Sequence, residues 1–138
     1  MHLCAIPLEH VIEIMRPLPI EAVAGAPPYV RGLSIIRGSA VPVVDTGLLV
    51  GEQATDSERL VTIRTGSRTI ALAVDAVPGI RTIGAETFNA LPPLLQEAAG
   101  ETIAAIGILD AELLLLLRTA RIVPADLLDH LERDGASS

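Results

Sequence analysis

Apolar residues in this chain come in short runs set off by Gly, Pro and small polar residues, and the repeat expected of long amphipathic helices is scarce. Short runs with frequent turn residues predict strands. Ser34 to Val44 reads as one run with Pro42 inside it. Proline donates no ladder hydrogen bond, so this strand is expected at a sheet edge or bulged there. Leu60–Arg64 and Thr69–Val74 flank Thr65-Gly66-Ser67-Arg68, and Gly-Ser at the centre suits a tight hairpin because Gly accepts a positive φ. A second hairpin is expected between Ile103–Leu109 and Glu112–Arg118 across Asp110-Ala111. By periodicity Leu113–Leu117 fits strand or helix, but a short run directly after a turn favours a strand buried on both faces.

Helical signal is confined to three places. Pro27–Arg31 and Ala85–Leu91 each suit a single turn. From Pro124 onward, Leu127, Leu128 and Leu131 recur at helical spacing, and Asp126 favours the positive end of the dipole. Asp134 to Ser138 reads as a frayed tail, and Gly51–Glu58, with Glu52, Asp56 and Glu58, as a solvated loop. The pattern is that of an all-β barrel or sandwich with a short C-terminal helix.

Composition narrows the function more than the fold. The chain has 138 residues, half of them hydrophobic, which is one domain with enough chain to bury a core without disulfides or metal. Trp is absent, and Tyr29 and Phe88 are the only rings, so the core must be aliphatic. Binding of single-stranded nucleic acid through stacked aromatics is excluded on the same ground. The net charge of -7 repels polyanions, and the ten basic residues, all Arg, are spread from Arg16 to Arg133 without a basic stripe. The first residues lack the basic and apolar regions of a secretory signal, and Ile103–Leu117 is split by Asp110 and Glu112, so no membrane-inserted segment is expected. A lone Cys4 fits a reducing compartment and a cytoplasmic location.

Candidate chemistry is thin. Val43-Val44-Asp45-Thr46-Gly47 resembles the strand-ending Asp-Thr-Gly of aspartic proteases, in which two carboxylates share a proton, so a homodimeric retropepsin-like protease using Asp45 is the alternative reading. The signature normally continues with a small residue, and Leu48 stands there instead. Asp45 is equally explained as an acceptor of backbone hydrogen bonds at a turn. Asp75 and Asp110 also end apolar runs, with nothing in the sequence to pair them. His2, Cys4 and His10 do not make the paired close spacings of structural zinc, and Gly32 and Gly38 lie outside any nucleotide-binding fingerprint. Ser34 and Ser39 lack a credible His partner. No metal, cofactor or catalytic residue is expected.

A longer match explains Asp45 better. Pro27-Pro28-Tyr29-Val30-Arg31-Gly32, then Arg37-Gly38, then Pro42-Val43-Val44-Asp45, resembles the core signature of CheW-like chemotaxis coupling proteins. Ala5-Ile6-Pro7-Leu8 with Val11 and Glu13-Ile14 is similar to that family's first strand and the segment after it, and Leu72–Val77 to its Val-Asp-x-Val strand end. The resemblance implies two intertwined five-stranded barrels of SH3-like shape across residues 1–134, with 135–138 as a disordered tail. It also implies a non-enzymatic adaptor that joins the cytoplasmic tips of chemoreceptors to the regulatory domain of the histidine kinase CheA. Arg37 is carried over as a partner-binding residue, either clamping a partner carboxylate or bracing the barrel, with Val41 and Val43 of the same run as apolar contacts.

The chain departs from the family pattern at four places. Ile35 replaces an Asn, Thr46-Gly47 replaces Leu-Arg, and Leu117-Arg118 replaces Leu-Asp, which bears on the identity of the partner more than on the fold. Only Met1 to Cys4 precede the Ala5-Ile6-Pro7-Leu8 segment. The first strand is therefore expected to be truncated, either leaving a barrel edge open to homodimerisation or marking a start codon placed too far downstream.

Overall fold

Both expected hairpins form, across the turn residues named for them. A computed structural model describes residues 3–100 and 102–118. In it β5 (Arg59–Thr65) and β6 (Arg68–Val74) pair antiparallel across Gly66-Ser67, from Arg59↔Val74 to Thr65↔Arg68. Likewise β8 (Ile103–Leu109) pairs β9 (Glu112–Leu117), and Asp110 and Ala111 both take positive φ in the two-residue turn. Leu114, Leu115 and Leu117 are buried, so the centre of β9 is covered on both faces as expected, whereas Leu113 at its start is exposed.

The run Ser34–Val44 departs from expectation. It is not one strand but a hairpin of β3 (Val30–Ile36) and β4 (Ser39–Asp45), reversed at Arg37-Gly38. The two turn residues have φ of 51° and 82°, a left-handed pair that the sequence concealed because Asn or Asp, not Arg, normally announces it. Nor is the Pro42 strand an edge. In the order β2-β5-β6-β4-β3, where β2 is Val11–Met15, β4 lies between two neighbours. Its pairing with β6 covers only Val43–Asp45, so Pro42 falls outside that ladder and no hydrogen bond to β6 is lost there. The bulge sits on β3, between Val30 and Gly32.

A second sheet runs β1-β9-β8-β7, with β1 (Leu3–Ala5) parallel to β9 and β7 (Phe88–Asn89) at the other end. The short N-terminal strand thus fills a place beside β9. Pro27–Arg31 makes a β-turn closed by the Val30 N–H on the Pro27 carbonyl, and Ala85–Thr87 a single 3-10 turn leading into β7. Two short helices went unannounced: α1 (Thr46–Leu49), and α2 (Pro93–Ala99), which starts on proline. The expected C-terminal helix and tail lie outside the described residues.

The core has two compartments, one on each face of the five-stranded sheet. Val30, Val44, Val61, Ile63, Ile70 and Leu72 face the second sheet's Leu115 and Leu117. On the opposite face Ile36, Val41, Val43, Leu60, Ala71 and Ala73 enclose a smaller interior filled by Met15, Leu18 and Ile20. Closure is completed by the segment after β2: Glu21 and Leu33 exchange two backbone hydrogen bonds of 2.8 Å in an isolated bridge, joining that segment to the far edge strand β3. The result is an all-β fold of the barrel type the pattern predicted.

Candidate partner-binding surface

Arg37 sits at the tip of the β3–β4 hairpin, with its side chain 77% exposed. Its Nε and Nη2 donate to Glu13 Oε1 and Oε2, each at 2.8 Å. Because β2 and β3 are opposite edges of the open strand order, this fork spans the barrel seam. Hydrogen bonding from Arg37 holds the Glu13 carboxyl below its ordinary pKa, and Glu13 raises that of Arg37 in return. Arg37 holds a positive φ, at a local backbone cost that Asn would not incur. Beside it Ile35 is 68% exposed.

Val41 and Val43 are placed differently from Arg37. They are 5% and 0% exposed and belong to the small barrel interior, so neither presents the apolar surface contact expected of it.

An open groove of about 690 Å³ lies at the other end of the β5–β6 hairpin, where Ile14 of β2 faces Val77, Gly79 and Ile80 across Arg59 and Asp75. Its walls are mainly apolar, and Ile14 and Ile80 are 48% and 73% exposed. Arg81, the next residue, pairs with Asp110 at the β8–β9 turn at 2.6 Å, which ties the groove loop to the second sheet. Sequence reasoning missed Ile80 as a surface feature, because one apolar residue among Gly and Pro carries no periodicity. Glu13-Ile14 was visible only through the family resemblance.

Asp45 is the most constrained ionisable group described. Fully buried, it accepts from Arg31 through both Nε (2.9 Å) and Nη2, from the Leu48 N–H at 3.0 Å, and from the Thr55 N–H and hydroxyl. Burial alone would raise its pKa, but the hydrogen bonds from Leu48, Arg31 and Thr55 outweigh it and leave the carboxyl below the usual range. Asp45 therefore caps α1 and closes a structural network, as the turn reading expected. Among the described residues no group of three His, Cys, Asp or Glu is gathered in a way that holds a metal ion.

Comparison with known proteins agrees with this geometry. The CheW-like domain family matches residues 1–126. The chain is similar to the chemotaxis protein CheW of Klebsiella aerogenes, 21% identical over 110 residues, covering 78% of this chain and about two thirds (66%) of that protein. It is also similar to the chemotaxis protein CheW of Rhizobium meliloti (strain 1021), 24% identical over 129 residues, covering 91% and 80%. The crystal structure of the scaffolding protein TtCheW from Thermoanaerobacter tengcongensis shares the fold, with a TM-score of 0.70 at 19% identity over 82% of this chain and 79% of that one.

The class so defined is that of non-enzymatic domains built on small β-barrels. Within it, this chain belongs to the CheW-like domain family. The protease reading of Asp45-Thr46-Gly47 is overturned on both counts, since the family is not catalytic and the carboxylate is buried against Arg31.

Proposed function

We propose that this chain is a cytoplasmic chemotaxis adaptor that couples the signalling tip of chemoreceptors to the regulatory domain of the histidine kinase CheA. The family match over residues 1–126 carries the reading. Among the described residues no helix is long and apolar enough to cross a membrane, and recruitment to receptor arrays then rests on protein contacts. The surface supplies two kinds of contact. The groove beside Ile14 and Ile80 takes apolar side chains of a partner, while Arg37 offers a guanidinium that exchanges Glu13 for a partner carboxylate. Val41 and Val43 serve binding by keeping the hairpin that presents Arg37 rigid.

Transient coupling of this kind needs a Kd only on the order of micromolar, about -8 kcal/mol. The test is a pull-down of the chain with receptor signalling domains and the CheA regulatory domain from the same organism. Arg37→Asn suits this test because Asn accepts the left-handed turn, so only the guanidinium is lost. The expected result is binding weakened roughly tenfold with an unchanged circular-dichroism melt. A lower melting midpoint with unaltered binding would assign Arg37 to barrel closure alone. Because the Glu13 pair is exposed, added salt is expected to weaken it, and the difference between wild type and Arg37→Asn to shrink with ionic strength.

Self-association through the edge of β1 not paired with β9 is the second association proposed. Sedimentation velocity reads it directly, and a strict monomer at high concentration ends it.

A further inference from the structure

Residues 16–21 cross from the end of β2 to the outer edge of β3, and little holds them there. Leu18 and Ile20 turn inward and, with Met15, pack against Val41, Val43, Ala71 and Ala73, whereas Arg16, Pro17, Pro19 and Glu21 are exposed. Among the described residues three hydrogen bonds tie this segment to β3. Glu21 and Leu33 exchange two of 2.8 Å, and the buried Ser34 hydroxyl donates to the Pro19 carbonyl at 2.7 Å. The Glu21–Leu33 bridge is isolated, and the residues beside it show why. Carrying its antiparallel register two residues along sets Pro19 against Ile35, and two more set Pro17 against Arg37 at the turn. Both positions that would next donate an N–H to β3 are proline, which has none. The Pro19 carbonyl accepts from the Ser34 hydroxyl in place of the Ile35 N–H, so the ladder stops after one pair.

We propose that residues 16–21 are a strap that opens as one unit ahead of the sheet it closes, and that Pro17 and Pro19 keep it openable by holding the seam to a single bridge. Release draws Leu18 and Ile20 out of the small interior and uncovers the outer edge of β3, where Leu33 and Ile35 then present unpaired backbone groups. The rest of the sheet stays paired. β4 holds β3 over six register pairs, and β5 holds β2 over four, and none of these involves the strap. The Arg37–Glu13 fork also crosses the seam, but its guanidinium is exposed at the hairpin tip, where water replaces such a pair at little cost.

Native-state amide exchange in the full chain tests the strap without any partner. The Glu21 and Leu33 amides report the bridge, and those of Ile63 and Ile70, fully buried and paired between β5 and β6, report the sheet. After correction for intrinsic rates, Glu21 and Leu33 are expected to exchange equally fast, faster than Ile63 and Ile70 by roughly tenfold or more, and with a shallower dependence on urea. Exchange of all four amides together on one urea slope would make strap and sheet a single unit and overturn the proposal. Unequal protection of Glu21 and Leu33 would mean fraying, not opening as a unit, and overturn it as well. Ser34→Ala is expected to speed both bridge amides by the same factor, about fivefold, whereas a change at Leu33 alone counts against a common opening. Pro19→Ala supplies the missing donor opposite the Ile35 carbonyl. The amide created at position 19 is expected to be protected by roughly tenfold or more, as the bridge lengthens by one pair. An unprotected amide there would show that the prolines are not what keeps the seam short.

Discussion

Asp45→Ala is expected to destabilise the fold by about 3 kcal/mol, at the low end of what removing one partner of a buried ion pair costs, because Arg31 is 31% exposed and water relieves part of the loss. For a chain of this length that is a fall in melting midpoint of roughly 10 °C. The loss is distributed over five donor atoms on three residues. Arg31, the Leu48 N–H and the Thr55 N–H and hydroxyl all lose an acceptor, and with them go the cap of α1 and the anchor of the loop that follows. Asp45→Asn keeps an acceptor for Leu48 or Thr55 but sets an amide against the guanidinium, so an intermediate loss is expected.

The same carboxylate gives the stability a definite pH dependence. Its pKa in the fold lies below the unfolded value of about 3.9, so the unfolded chain takes up the proton first. The stabilisation is complete above that value and is lost as pH falls through it toward the folded pKa. Urea unfolding measured from about pH 7 to pH 3 should therefore show wild type declining in acid more steeply than Asp45→Ala. Glu13, lowered by its hydrogen bonds from Arg37, acts in the same direction, and Glu13→Gln in both backgrounds separates the two. Parallel curves for wild type and Asp45→Ala would show that the buried network contributes nothing to acid sensitivity.

How far such features can be read from the residues depends on whether the signal is local. The Gly66-Ser67 hairpin and the register of β8 on β9 are set by a few adjacent positions, and these were legible. The Arg37-Gly38 reversal was not, because apolar alternation runs straight through it and Arg carries no turn preference. Helix α2 was hidden for a related reason, since its seven residues, about two turns, offer too short a window for periodicity. The resemblance did locate Arg37, Asp45 and the Val-Asp at residues 74–75. What it could not supply was their partners: Glu13 across the seam, Arg31 against Asp45, and the Asp56 amide on Asp75 are all contacts between distant segments. Val41 and Val43 illustrate the same limit, because alternation on a strand does not say which face is the interior when both faces of the sheet are covered.

Gly32→Ala is expected to have the largest effect of a methyl added at any of the described glycines. Gly32 has a φ of 145°, and a Cβ built there would lie 1.9 Å from the Glu21 carbonyl oxygen, 2.6 Å from its carbon and 2.9 Å from the Ala22 Cα. All three are backbone atoms, so no side-chain rotation relieves the overlap. Relief requires the 21–22 segment to move off β3, which breaks both 2.8 Å bonds between Glu21 and Leu33 and opens the barrel at its seam. Leu18 and Ile20, carried on the same segment, then leave the interior formed by Val41, Val43, Leu60, Ala71 and Ala73. The combined loss is expected to exceed about 4 kcal/mol, a large share of the 5–15 kcal/mol that typically holds a domain together. Gly38→Ala is the matched control: its φ of 82° is also left-handed, but nothing lies within 4 Å of the added carbon. That change costs the backbone strain alone, about 1 kcal/mol. Urea midpoints for the two variants decide the matter, because equal shifts would mean that the close approach of Glu21 to Gly32 is not what closes the barrel.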